Sequence, residues 1–151
     1  MNINILNNSK IDVIENELTK FAHFVIKKMY LHPESELSII LFDNKIMSDL
    51  HRKWMVLDES TDVMSFPINE LKFRRNIYTP TMLGDIILCP DFARKQAIKN
   101  CKSLNQELIL LITHGILHII GYDHLNNKEK EKMFNLQNQI LKIWVLDRNL
   151  L

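Results

Sequence analysis

The sequence predicts an α+β fold in which a small mixed four-stranded sheet is packed with about five helices. Three observations point there. Short runs of strand length occur both before and between longer stretches with helical periodicity. The runs 62–66 and 83–89 stand too close together for a helical crossover of usual length, which makes an all-parallel sheet uneconomical. Within a helix expected over 104–121, the stretch 108–120 is apolar almost all round, as a helix buried in a core is. With 151 residues and 46% hydrophobic content, the chain suffices for one full core and is too short for two, so a single domain over 1–151 is expected.

Taken in order, 2–6 alternates with Ile3 and Ile5 on one side and suits a short edge strand. Ile11, Ile14, Leu18, Phe21, Ala22, Val25, Ile26 and Met29 then form the stripe of an amphipathic helix that Pro33 is expected to end. The run 37–42 is nearly continuous and apolar, which predicts a central strand buried on both faces. Asp43 or Asn44 can cap a short helix carrying Ile46, Met47, Leu50 and Trp54. A strand at 62–66 stops at Pro67, and 67–81 shows no period, the mark of a functional connection in a small domain. Strand 83–89 follows, then a short basic helix over 91–102. Ser103 and Gln106 form a capping-box pair that opens the apolar helix. The last helix, 128–145, has a solvated charged start and places Met133, Leu136, Ile140 and Trp144 on one face.

Charge excludes little but constrains much. Nineteen basic and eighteen acidic side chains give a formal charge of +1, so electrostatic recognition of a partner must be local. No signal-peptide pattern opens the sequence and no apolar run approaches the ~20 residues that span a bilayer, so a cytoplasmic chain with no membrane partner is expected. Cys89 and Cys101 form no C-x-x-C pair and are expected as small buried, reduced thiols.

Three of the six histidines lie in His114-Gly-Ile-Leu-His118-Ile-Ile-Gly121-Tyr-Asp-His124. On a helix the first two stand about 40° apart on one face and one turn apart, near enough to chelate one ion. Gly121 can take a left-handed conformation and turn the chain so that His124 returns as a third ligand. Two imidazoles on an apolar helix need partners, since each unpaired polar group costs roughly 1–3 kcal/mol. Core histidines bonded to backbone carbonyls are the plain alternative, and the third histidine at metal spacing favours the ion. Three ligands leave the fourth tetrahedral position open, as at a catalytic zinc; nickel, copper and iron also accept imidazole. The spacing is that of the metzincin signature H-E-x-x-H-x-x-G-x-x-H, but Gly115 stands where the glutamate base would be. A peptide bond needs that carboxylate as a proton shuttle. For a phosphodiester a metal can polarise the phosphoryl oxygen and activate water, and RNA carries its own 2′-hydroxyl nucleophile.

Together with Thr61-Asp-Val-Met-Ser-Phe-Pro67 and Gly84-Asp-Ile86, the histidine block resembles the YbeY family of bacterial single-strand-specific endoribonucleases, or rRNA maturation factors. The three blocks occur in the family's order and the resemblance covers nearly the whole chain. It implies a zincin (metallopeptidase)-like α+β fold and one zinc ion held by His114, His118 and His124. It implies a role in small-subunit ribosomal RNA processing and ribosome quality control, with pre-ribosomal particles, ribosomal proteins or a GTPase as partners. One departure stands out: Met55 follows Trp54 where many members have an arginine, which weakens any mechanism that needs that arginine for phosphate.

No catalytic side chain beyond the ligands is assigned. Asp123 can orient a histidine, act as base or simply cap a loop. Asp85 can reach the same site or belong to a strand-start turn, and Thr61 and Ser65 can line the cleft. From 67 to 102 seven basic residues face three acidic ones, whereas 34–66 has three basic against seven acidic. Lys72, Arg74 and Arg75, interleaved with Phe73 and Tyr78, have the composition that meets phosphates and unpaired bases, or of a solvated loop. A peptidase-like hydrolase and a non-enzymatic ribosome-assembly factor with a structural zinc are the rival readings.

Overall fold

A computed structural model describes residues 2–43, 63–67, 82–122 and 126–149. Four strands, β1 (Asn2–Asn8), β2 (Glu36–Phe42), β3 (Val63–Pro67) and β4 (Met82–Leu88), form one sheet in the order β1-β2-β4-β3. Helix α1 (Glu15–Lys28) joins β1 to its parallel neighbour β2, as a crossover must. β2 and β4 are also parallel, and β3 runs antiparallel to β4, so the sheet is mixed as expected. Pro67 ends β3 on an edge strand of the sheet, where proline is tolerated. Among the described residues there are three more helices, α2 (Pro90–Lys99), α3 (Leu104–Ile119) and α4 (Asn127–Asn149). The short helix expected after Asp43 lies outside the described residues.

The main core joins one sheet face to the helices. Leu37, Ile39 and Leu41 of β2 and Leu83, Ile86 and Leu88 of β4 meet Leu18, Phe21 and Val25 of α1 and Ile112 and Ile116 of α3. The other sheet face carries a smaller cluster in which Met64, Ile87 and Cys89 are joined by Phe42, Phe66 and Phe92. β2 is central, but only its helix-facing residues are fully buried; Ser38, Ile40 and Phe42 are half-buried, a correction to the strand expected to be buried on both faces. The reason is unequal cover, with the helical core on one side and the smaller cluster on the other.

Two further expectations are corrected. α1 does not run to Pro33: Tyr30 takes φ 56°, its N–H bonds the Lys27 carbonyl at 3.1 Å and the Leu31 N–H bonds the Ile26 carbonyl at 3.1 Å. That is a Schellman ending, which satisfies the last carbonyls and stops the helix before proline can act. Cys89 is buried, but Cys101 is exposed, because it occupies the equivalent position after α2 at φ 56°. α4 runs on past its apolar stripe to Asn149, with Val145 and Leu146 exposed. No helix among the described residues is long and apolar enough to cross a membrane.

Candidate metal centre

The histidine pair is placed by three local features of α3. At its start Ser103 Oγ accepts from the Gln106 N–H at 3.1 Å while Gln106 Oε1 accepts from the Ser103 N–H at 2.8 Å, completing the capping box. In its middle Gly115 lies against β4: a Cβ built there would meet Ile86 Cδ1 at 2.9 Å and its Cγ1 and Cγ2 at 3.1 Å. The glycine is therefore what lets helix and sheet approach, and no glutamate fits this position without moving fully buried Ile86. At its end Gly121 takes φ 111°, its N–H bonding the His118 carbonyl at 3.1 Å and the Tyr122 N–H bonding the Leu117 carbonyl at 2.9 Å. This Schellman motif is the chain reversal that the motif's glycine predicts.

With one side of α3 held on the sheet, His114 and His118 emerge on another, half-buried. Their rings meet edge to face with centroids 4.5 Å apart, and their Nε2 atoms converge to 3.0 Å. α4 supplies the other wall. His114 Nδ1 lies 3.1 Å from Gln137 Oε1, and Gln137 is only 5% exposed. Phe134, one turn earlier, lies nearly parallel to the His114 ring at 6.2 Å, and Lys130, a further turn back, places Nζ 5.7 Å from the Phe134 centroid. Asn126 opens this helix by accepting from the Glu129 N–H at 2.9 Å.

An amide oxygen only accepts, so Oε1 facing Nδ1 puts the proton on Nδ1 and leaves the His114 Nε2 lone pair directed at His118. With no ion between them His118 Nε2–H can donate to that lone pair at 3.0 Å, and with the His118 proton moved to Nδ1 both nitrogens could serve one small cation, which imidazole binds at about 2.0–2.1 Å. Such an ion fits this donor pair. Among the described residues no third His, Cys, Asp or Glu joins it. His124, the third predicted ligand, lies outside the described residues, as do Asp123, Thr61, Met55, Lys72, Phe73, Arg74, Arg75 and Tyr78.

Of the remaining candidates, Ser65 pairs with Ile86 and shares its helix-facing side, whereas strand alternation turns Asp85 to the opposite face with Ile87. Asp85 is thereby directed away from α3 and its histidines. Gln137 was not foreseen from the sequence, though a signal exists: it interrupts the apolar stripe between Met133 and Ile140, both buried. The other described histidines stand apart from the pair. His23 on α1 has its pKa lowered by partial burial, and His32 Nδ1 accepts from the Glu34 N–H at 3.0 Å.

A family model described as Endoribonuclease YbeY matches residues 2–145. The chain belongs to the YbeY family. A curated YbeY endoribonuclease of Mycolicibacterium smegmatis is 50% identical over 152 residues, spanning 98% of this chain and 85% of the relative. One from Rhodococcus jostii is 49% identical over 151 residues, spanning 97% and 84%. The solution structure of TM1509 from Thermotoga maritima superposes with a TM-score of 0.67 at 26% identity, over 97% of this chain and 92% of the other. TM1509 thus shares the fold described above.

Proposed function

We propose that this chain is a zinc-dependent endoribonuclease that cuts single-stranded RNA in the cytoplasm, acting in small-subunit ribosomal RNA maturation and ribosome quality control. His114, His118 and His124 hold the one ion, and pre-ribosomal particles, with ribosomal proteins or a GTPase, are its partners. The observation that carries this reading is the convergence of two imidazole Nε2 atoms to 3.0 Å in a chain of an endoribonuclease family. A bound divalent ion supplies Lewis acidity toward a phosphoryl oxygen and toward water. The chain's own residues orient the rest. His114 and His118 offer their lone pairs from consecutive turns of one helix. Phe134 beside His114 and Lys130 next to it bring an aromatic ring and a cation to the same wall, the residue types that meet unpaired bases and phosphates. The basic residues Lys72, Arg74 and Arg75 have the composition to meet RNA phosphates. A peptidase reading fares worse, because the position of its glutamate base is closed by Ile86.

The decisive experiment joins metal analysis to cleavage of a defined single-stranded RNA by the natural protein and by His114→Ala and His118→Ala. Each substitution is expected to bring bound zinc below stoichiometry and slow cleavage at least ~100-fold, because a ligand is lost rather than a contributor to binding. Undiminished cutting by zinc-free His118→Ala protein would sink the proposal.

A further inference from the structure

We propose that Gln137 is a positioning residue of the metal centre, holding His114 in the one tautomer whose Nε2 can bind an ion. The inference rests on the metal reading of the histidine pair and names a group on a different helix, 23 residues away in sequence. A neutral imidazole carries one proton and can place it on either nitrogen. On Nε2 that proton would point at His118 and block the position where an ion must sit. The carboxamide oxygen of Gln137, 3.1 Å from Nδ1, can accept a proton but not give one, so it draws the hydrogen to Nδ1. Burial gives the contact its force. At 5% exposure Gln137 has little water to turn to, and breaking the bond would leave a donor and an acceptor stranded together.

Position supports the same conclusion. Met133 and Ile140, which flank Gln137 on the α4 stripe, are 0% and 3% exposed, so an apolar side chain would serve packing alone at least as well. A glutamine at a core position is explained by what its oxygen does. The contact also couples two helices, joining α4 to α3.

The test compares Gln137→Leu, Gln137→Glu and Leu136→Ala in the full chain. Zinc affinity is measured by competition with a chromophoric chelator, and long-range proton–nitrogen NMR reads the His114 tautomer in metal-free protein. Gln137→Leu should bind zinc about 10- to 100-fold more weakly, the usual loss when an outer partner of a ligand is removed, and should show His114 as a tautomer mixture. Gln137→Glu keeps the acceptor and should keep both the Nδ1-protonated form and an affinity at least equal to the natural protein's. Leu136→Ala, which removes core packing from the neighbouring position, should lower the melting temperature without changing zinc affinity. Unchanged affinity in Gln137→Leu, or a natural protein with the His114 proton on Nε2, would overturn the inference while leaving the metal reading in place. A natural protein that takes up no zinc would overturn both.

Discussion

Two sides of one helical turn behave in opposite ways. On the sheet side of α3, a methyl group added at Gly115 would meet Ile86 at 2.9–3.1 Å, so Ile86 would have to shift to admit it. On the α4 side, His114 is held by a directional contact with Gln137 and flanked by Phe134 and the His118 ring. The first is specified by missing atoms, the second by the chemistry of atoms present. The difference is that of scaffold and site: close packing tolerates almost no added volume, whereas a hydrogen-bonded position accepts any side chain with the same acceptor in the same place.

The largest expected effect comes from breaking the packed side. Gly115→Glu, which restores the metzincin sequence, should destabilise the fold by about 3 kcal/mol or more, because a long side chain and its charge would be driven against the core. It should yield no peptidase. Gly115→Ala is milder: about 1 kcal/mol of helix propensity is gained against an overpacking cost of about 1–3 kcal/mol. On an Ile86→Val background the 2.9 Å contact with Cδ1 is gone, so the same alanine should cost less there than in the natural protein. Denaturant unfolding of the four proteins of this cycle measures the coupling, and strict additivity would show that the contact relaxes freely.

The sheet side also shows where sequence reasoning stops. The four strands, the capping box and the Gly121 turn were legible, since each depends on residues close together in the chain: alternating or continuous apolar runs, Ser103 with Gln106, a glycine after the last apolar turn. The short separation of two runs pointed to a mixed sheet, and its antiparallel pair is β3 with β4. Gly115 was legible only as an absent carboxylate, because the presence of Ile86 beneath it depends on how α3 lies across β4. Gln137 was hidden for the same reason, its partner being on another helix. The Tyr30 ending of α1 was masked by residue type, as nothing in a tyrosine announces φ 56°.

The end of α3 offers a second, smaller test. Gly121→Ala places a Cβ at φ 111°, outside the regions L-residues favour, and should lower stability by about 1–2 kcal/mol. If the turn brings His124 to the pair, the same substitution should weaken zinc binding more than its stability cost alone accounts for. Chelator competition beside thermal unfolding separates the two effects.

Phe134 tests the α4 side. It is half-buried and is not among the described residues packed on either core cluster, unlike Phe21 and Trp144, whose rings meet edge to face at 5.2 Å within the main core. Phe134→Ala should therefore cost about 1 kcal/mol or less, against about 3–5 kcal/mol for Phe21→Ala. Single-stranded RNA affinity should fall about tenfold, the equivalent of losing one stacked base. Fluorescence anisotropy with a short labelled RNA checks it; a full core-sized loss of stability with unchanged RNA affinity would make Phe134 a scaffold residue instead.

The smallest effect has the opposite sign and extends the lesson to helix ends without glycine. α1 and α2 end as α3 does, with the Lys102 N–H bonding the Ala97 carbonyl at 2.8 Å after Cys101 at φ 56°. Tyrosine and cysteine there carry the left-handed strain, about 1–2 kcal/mol, that glycine at the end of α3 does not. Glycine in turn loses more freedom on folding, which returns about 0.4–1 kcal/mol of that gain. Cys101→Gly should thus stabilise the chain by about 0.5–1 kcal/mol, and Tyr30→Gly by a similar amount, since both side chains are exposed. Neither should alter zinc affinity. A stabilisation that also shifted metal binding would mean that these helix ends and the histidine pair are mechanically linked, and the separation between scaffold and site would then be less complete than the packing of α3 suggests.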